Sequence, residues 1–253
     1  KCVLSVEDLS VKNHFSGNLS VNHVSFDVKE GEIVCIAGID GNGQSELVYA
    51  LTGLSPIESG QIHLKDQDFT HMSIRQRNTH GLGHIPEDRH KHGLVLDYDL
   101  AYNTVLQSYF EKKFQSHGFL REREIYQYAD GLIDSFDIRC GQGGKTIARS
   151  MSGGNQQKII IAREIDRNPD LLIAVQPTRG LDVGAIEYIH NQLVAQKKAG
   201  KGVLLVSLEL DEVMSISDRI LVMYEGEIVA DLRPEDVTVQ ELGLYMAGSK
   251  RRA

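Results

Sequence analysis

The sequence predicts an α/β fold: a mixed sheet, parallel at its centre and covered on both faces, with an antiparallel β region at the N-terminus and an inserted helical lobe. Three observations carry this. Short, mostly apolar runs recur at residues 32–37, 171–175 and 203–207, and runs of that length between turns suit strands buried on both faces. Stretches of helical periodicity alternate with them, at residues 44–52 and 186–199, which is how parallel strands are connected. Between residues 87 and 150 the character changes: Tyr, Phe and charged residues recur at helical spacing, most clearly over 122–136.

In chain order, residues 1–30 read as strands, alternating from Val3 to Val11 and turning at Gly17 and Asn18. The strand at 32–37 runs into a glycine loop, Gly38 to Gly43, and then a helix from Gln44 to about Thr52. Residues 60–64 form a further strand. After the helical lobe, a helix begins at Gly153 and Gly154 and runs to about Arg167, followed by the strand at 171–175. The helix at 186–199 leads to the strand at 203–207, and strands at 219–224 and 227–230 flank a hairpin turn at Glu225 and Gly226. There is no internal repeat or low-complexity segment.

A chain of 253 residues holds one α/β core, or a core with one lobe inserted in it. The formal net charge of -8 is a poor match for a phosphate backbone and argues against a nucleic-acid partner. Cys2, Cys35 and Cys140 are widely spaced and form no C-x-x-C, so neither a disulfide framework nor a zinc site is indicated, and a reducing cytoplasm is expected. No apolar run approaches the length of a membrane span and no signal peptide is visible, so a membrane role has to come through a partner. The chain opens on Lys1, Cys2 and Val3 without a Met, as expected of a domain cut from a longer polypeptide or of a sequence missing its start.

Gly38-Ile39-Asp40-Gly41-Asn42-Gly43-Gln44-Ser45 has the form of a phosphate loop with one substitution. Strand, glycine loop and helix in that order let backbone N–H groups turn inward onto phosphate oxygens, with the helix dipole behind them. Gln44 stands where G-x-x-x-x-G-K-[ST] has Lys. A charge-assisted hydrogen bond contributes about 1.5–3 kcal/mol against about 1 for a neutral one, so the substitution costs about ten-fold or more in affinity. The expected nucleotide contacts are Gly38, Asp40, Gly41, Asn42, Gly43, Gln44, Ser45 and Glu46, with the Ser45 hydroxyl as a weak Mg²⁺ ligand. Alone, this segment also fits an ordinary strand–turn–helix junction.

Ser150-Met151-Ser152-Gly153-Gly154-Asn155-Gln156-Gln157-Lys158 offers a hydroxyl and exposed N–H groups at a helix start, which is an anion site. It follows the glycine loop by about 110 residues, just ahead of a buried strand. This segment resembles the signature sequence of ABC ATPases, and the resemblance extends over nearly the whole chain. It implies an ABC-type P-loop NTPase core that binds ATP and Mg²⁺. Two such domains then pack head to tail, and Ser152, Gly153, Gly154, Asn155 and Gln156 close over the ATP held by the partner. Three stretches resemble, more narrowly, the second ATP-binding domain of the tandem ATPases of ribose-, galactose- and nucleoside-type importers. They are residues 38–47, 85–94 and 177–184, the second pointing to the nucleoside branch.

Against that pattern the departures are informative. The Walker B strand ends in Val175 and Gln176 where Asp and Glu are expected. Valine cannot hold a magnesium hydration shell and glutamine cannot take a proton from water. Leu208 falls at the switch histidine, and Glu87 or a neighbour at the glutamine that begins the helical lobe. With Gln44, these positions leave no intact catalytic residue. Gln176 alone could be a laboratory change; the four together look natural. Asp182 is kept in the D-loop, facing the partner, and Glu87, Asp88 and Arg89 form the expected coupling loop.

Other features take plainer readings. His90, Lys91 and His92 lie in a polar loop with no Cys or carboxylate spaced to complete a metal site. His14 and Phe15 are candidates for the aromatic that stacks on adenine, although an aromatic at a strand end is more often packing. Cys35, in a core strand, should be inert. Glu209, Asp211 and Glu212 begin a helix, where the dipole favours acids.

The resemblance implies one ABC domain over residues 1–253, with a RecA-like core at about 1–86 and 168–253 and the helical lobe at about 87–167. Its partners are a second ATP-binding domain, transmembrane permease subunits and, indirectly, a solute-binding protein, at the cytoplasmic face of the cell membrane. Two readings compete with a degenerate half-site. One is a conventional ATPase in which Gln44 and Glu209 substitute for the lost groups. The other is a non-transport ABC protein, against which the acidic balance counts.

Overall fold

The structure is a computed structural model that describes residues 1–13 and 16–251. In chain order its elements are β1 (Cys2–Lys12), β2 (Leu19–Lys29), β3 (Ile33–Ala37), α1 (Gln44–Thr52), β4 (Ser59–Leu64), β5 (Gln67–Asp68), α2 (Ile74–Thr79), β6 (Leu82–Ile85), α3 (Leu100–Thr104), β7 (Gln115–Ser116), β8 (Phe119–Leu120), α4 (Glu122–Ser135), α5 (Gly153–Asp166), β9 (Leu171–Val175), α6 (Val183–Lys198), β10 (Gly202–Ser207), α7 (Leu210–Ile216), β11 (Arg219–Tyr224), β12 (Glu227–Leu232) and α8 (Val239–Met246).

The chain divides into two compact units. The first comprises Lys1–His84, Pro169–Gln176 and His190–Ala253. Its six-stranded sheet has the order β12-β11-β3-β10-β9-β6, and a second sheet has the order β2-β1-β4-β5. Strand β3 pairs in parallel with β10 and β11, and β10 in parallel with β9, while β11 and β12 form an antiparallel pair. In the second sheet β1 is antiparallel to both β2 and β4. Strands β3, β9 and β10 are buried along their whole length, which is why they read as unbroken apolar runs. The core beneath them takes Val34 and Ile36 of β3, Leu47 and Leu51 of α1, Ile173 of β9 and Leu204 of β10.

The second unit comprises Ile85–Asn168 and Pro177–Ile189. Ala101, Val105, Phe114, Ile125 and Ala129 form its apolar cluster, with Tyr126 and Tyr128 packed on it. The segment from Pro177 onward is tied to this unit by specific bonds. Gln157 Nε2 donates to Pro177 O at 2.9 Å, Arg179 pairs with Glu87 at 2.8 Å, and Tyr188 Oη donates to Phe136 O at 2.8 Å.

The expected architecture is present: a mixed sheet parallel at its centre, an antiparallel N-terminal region and a helical lobe. The helices α2 and α8 are additions to the expected elements. Both are short and each is started by a capping box, Ser73 with Gln76 and Thr238 with Glu241.

Candidate functional site

Parallel pairing brings three of the sequence-predicted positions to one edge. Ala37 is level with Ser207, and Val175 with Val206. Gly38, Gln176 and Leu208, the residues that follow β3, β9 and β10, are therefore neighbours at the carboxyl ends of the central strands, where open α/β sheets bind ligands. Gln176 N donates to Val206 O at 2.7 Å, and its φ of 42° turns the chain sharply out of the strand.

The glycine loop approaches its surroundings closely. Gly43, the N-cap of α1, has φ 103°, and a Cβ there would collide with Ser20 O. Only glycine fits such a position. At Gly38 a Cβ would collide with Gln44 Nε2. The Gln44 side chain is buried and folds back across the loop. Its Nε2 donates to Ile39 O at 3.0 Å and its Oε1 accepts from Asn42 N–H at 3.1 Å. Lysine has no acceptor and could make only the first of these bonds. The glutamine thus satisfies, from inside the loop, an N–H that phosphate loops turn toward a ligand. Asn42 is engaged as well: its Nδ2 donates to Ile39 O, and its Oδ1 accepts from Glu225 N at 2.8 Å. Asp40 and Gly41 are exposed at the tip, while Ser45 and Glu46 are half-buried in the first turn of α1, whose N–H groups have no intrahelical partners.

This loop fits a phosphate through its backbone at the tip, where Gly41 has open space in place of a Cβ and the first N–H groups of α1 have no side-chain cap. At the Walker B and switch positions of the same edge, Val175 is an apolar side chain, 4% exposed, and Gln176 and Leu208 carry no carboxylate. Among the described residues no group of three or more His, Cys, Asp or Glu side chains is placed to hold a metal. His14 and Phe15, the adenine-stacking candidates, lie outside the described residues.

Glu212, read as a helix-start acid, stands in the first turn of α7 and is also buried at 4% exposure and bonded to His190 Nε2 at 2.8 Å. Glu209 is exposed and forms the N-cap of α7 without a side-chain bond. Cys35 is fully buried, and desolvation, followed by the charge of Glu212, pushes its thiol far up, which fits an inert core cysteine.

In the second unit Ser152 caps α5. Its Oγ accepts from Asn155 N at 3.4 Å and from Asn155 Nδ2 at 3.0 Å, which leaves its own proton free to donate outward. Gly153 and Gly154 add N–H groups of the first turn. Asn155 Oδ1 in turn accepts from Arg139 N at 2.8 Å. Gln156 differs from the preceding residues of the segment, Ser152 to Asn155. It is 4% exposed, donates to Ala148 O at 2.9 Å and bonds His90 Nε2 at 2.9 Å, so it positions the preceding turn rather than facing outward. The segment Arg89–Gly93 is a tight turn of π type rather than a loose loop, with Asp88 Oδ1 accepting from His90 N and Lys91 N. Those N–H bonds, with Lys91 first, lower the Asp88 carboxyl below its ordinary range.

Asp182 Oδ1 accepts from Ala185 N at 2.9 Å and so starts α6. Glu87 and Arg89, expected in a coupling loop, reach the same strand-to-helix connection. Glu87 pairs with Arg179, and Arg89 Nη1 donates to Arg179 O at 3.3 Å. Arg179 and Gln157 are not among the expected site residues, although both lie in the quoted motifs. A separate apolar groove of about 580 Å³ is lined by Tyr98, Tyr102, Val105, Leu106, Tyr109 and Ile147. Its acids are held internally: Asp97 by Arg149, and Asp99 by Tyr102 N and Tyr126 Oη. The Asp99 bond pushes the Tyr126 hydroxyl up to about 12.

A sequence profile described as "ABC transporter" matches residues 21–179. The chain is 53% identical over 250 residues to "Guanosine import ATP-binding protein NupO" of Bacillus subtilis (strain 168), covering 99% of this chain and 49% of that protein. It is 52% identical over 246 residues to "Nucleoside import ATP-binding protein NupA" of Lactococcus lactis subsp. cremoris (strain MG1363), covering 97% and 48%. The chain thus spans about half the length of these curated relatives. In fold it matches a crystal structure of a nucleotide-free ATP-binding cassette from an ABC transporter, with TM-score 0.79, 22% identity and 96% of both chains covered. The profile match, the relatives and the P-loop α/β fold agree: the chain belongs to the ABC transporter family.

Proposed function

We propose that this chain is an ATP-binding domain of an importer for nucleosides or sugars, with a degenerate phosphate loop of its own and a signature helix that completes the ATP site of a second ATP-binding domain. The observation that carries the reading is the sheet edge. Gln44 is bonded into its own loop, and Val175, Gln176 and Leu208 around it offer no metal-holding carboxylate, general base or imidazole. The nucleoside class rests on what the two relatives are named for, and the half-length matches fit a domain drawn from a two-domain chain; the sugar class and the place as its second half rest on the resemblance carried by residues 38–47, 85–94 and 177–184.

On this reading nucleotide binds weakly through the backbone of residues 38–45, and no step of hydrolysis passes through this site. The outward-facing proton of Ser152 and the N–H groups of Gly153 and Gly154 meet phosphate held by the partner, and Asp182 faces the same junction. The apolar groove suits an amphipathic helix of a transmembrane subunit. The bonds from Glu87 and Arg89 to Arg179 then connect coupling loop to D-loop within one unit. A solute-binding protein acts on the far side of the permease. The domain sits at the cytoplasmic face of the membrane through those subunits; among the described residues no helix is long and apolar enough to cross it.

The purified chain is expected to release phosphate at background rate. Turnover in the usual enzyme range, about 1–10³ per second, supports instead the conventional ATPase with substituted residues. Gln44→Lys is expected to tighten nucleotide binding about ten-fold, because it restores the charge and frees Asn42 N–H. It should create no turnover, since Val175, Gln176 and Leu208 are unchanged and members of a catalytic unit are strongly non-additive. Titration with labelled ATP beside a phosphate-release assay decides both points. Vigorous hydrolysis from this single change overturns the degenerate-site reading.

A further inference from the structure

Beside the start of α5 lies a polar cavity of about 370 Å³ whose lining includes Asp137, Arg139, Ser152, Asn155, Lys158 and Asp182. Four of these side chains are charged, and three are already engaged. Lys158 Nζ donates to Asp137 O at 2.8 Å, stands 3.5 Å from Asp137 Oδ2, and lies 4.4 Å from the centre of the Tyr188 ring. That arrangement holds both Lys158 and Asp137. Asp182 is engaged as the cap of α6. Arg139 is different. Its backbone N–H is fixed by Asn155 Oδ1, so the residue is pinned to the signature turn. Its guanidinium is exposed and has no hydrogen-bond or ionic partner among the described residues. The cavity therefore presents an uncommitted cation beside the Ser152 hydroxyl.

We infer that Arg139 is a further positioning residue of the shared ATP site, supplied in trans to the polyphosphate of the nucleotide held by the second ATP-binding domain. This rests on the half-site reading above. A guanidinium presents several donors in a rigid plane and matches phosphate oxygens in pairs, which an ammonium does not. Its placement through Asn155 also gives that signature residue a role: the side chain of Asn155 ties the cap hydroxyl and the arginine backbone into one rigid turn.

The test uses the assembled transporter with Arg139→Ala, Arg139→Lys and, in parallel, Gly153→Asp. KM for ATP and kcat are measured together, with the melting point and the yield of assembled complex. Arg139→Ala is expected to raise KM for ATP about ten-fold, the worth of one charge-assisted contact, with melting point and assembly unchanged. Arg139→Lys should recover part of that loss, which a merely structural residue would not show. If Gly153→Asp silences hydrolysis while Arg139→Ala keeps the wild-type KM and kcat, the half-site stands and the role of Arg139 falls. A loss of assembled complex with unchanged KM also overturns it, because the cation then meets an acidic surface of the partner and not the nucleotide. If Gly153→Asp leaves hydrolysis intact, the half-site reading falls and takes this assignment with it.

Discussion

In the assembled transporter, Gly153→Asp is expected to lower ATP hydrolysis and solute uptake about a hundred-fold or more, while Gln176→Ala leaves most of both. On the half-site reading, a carboxylate on the first turn of α5 faces phosphate held by the partner, and like charges about 4 Å apart cost about 4 kcal/mol at an effective dielectric of 20. Gly153 is the clean place to make this change. A Cβ there meets Arg89 Nη2 at 2.9 Å, the far end of a flexible side chain, whereas at Gly154 it meets Ala185 Cβ at 3.3 Å against packed structure. The fold should therefore accept the new carboxylate by moving Arg89, and Gly153→Ala controls for bulk without charge. Gln176→Ala keeps the backbone bond to Val206 O and, with φ at 42°, is no more strained than glutamine. Both variants are compared at equal expression, with ATPase rate and uptake measured on the same preparation. If Gln176→Ala proves as damaging as Gly153→Asp, the local site is active and the half-site assignment is wrong.

The parts of the fold legible in the sequence are those whose signal is local. The runs at β3, β9 and β10 are apolar because both faces are covered, and the parallel centre follows from their alternation with helices. The loop-to-helix junction at Gly43 and Gln44 is legible because a residue type, glycine, is forced by geometry there. What stays hidden depends on which way a side chain turns. Gln44 reads as a weak phosphate donor, but folded it is also an acceptor for Asn42 N–H. Gln156 follows half-buried residues of the signature, Gly153 to Asn155, yet one residue's rotation around α5 turns it inward to Ala148 and His90. Glu212 follows an exposed acid in sequence and lands on His190 across α6. Arg139 carries no motif, and its significance appears only when the other charges around it are found to be engaged.

The second large effect concerns what holds the signature helix. Glu164, near the end of α5, is 0% exposed and faces two arginines: Oε1 is 3.1 Å from Arg163 Nε and Oε2 is 3.1 Å from Arg167 Nη1. Arg163, itself 2% exposed, sends Nη1 to Gly93 O at 2.9 Å and Asn103 O at 3.1 Å, so one buried cluster ties α5 to the tight turn and to α3. Glu164→Ala leaves the Arg163 cation buried without its counter-charge, which costs about 3–5 kcal/mol. At about 2–4 °C per kcal/mol for a domain of this size, the melting point should fall by about 6–20 °C. Arg163→Met also destabilises, because two carbonyls lose their donor, but the double variant Arg163→Met/Glu164→Ala should lose less than the sum of the two, since no unpaired buried charge is left. Glu164→Gln, which keeps shape and one acceptor, should lie between wild type and Glu164→Ala. Thermal and denaturant unfolding of the four variants measure this directly. An additive double variant, or a Glu164→Ala loss below about 1 kcal/mol, means that the cluster is not coupled and that apolar packing alone holds α5 in place.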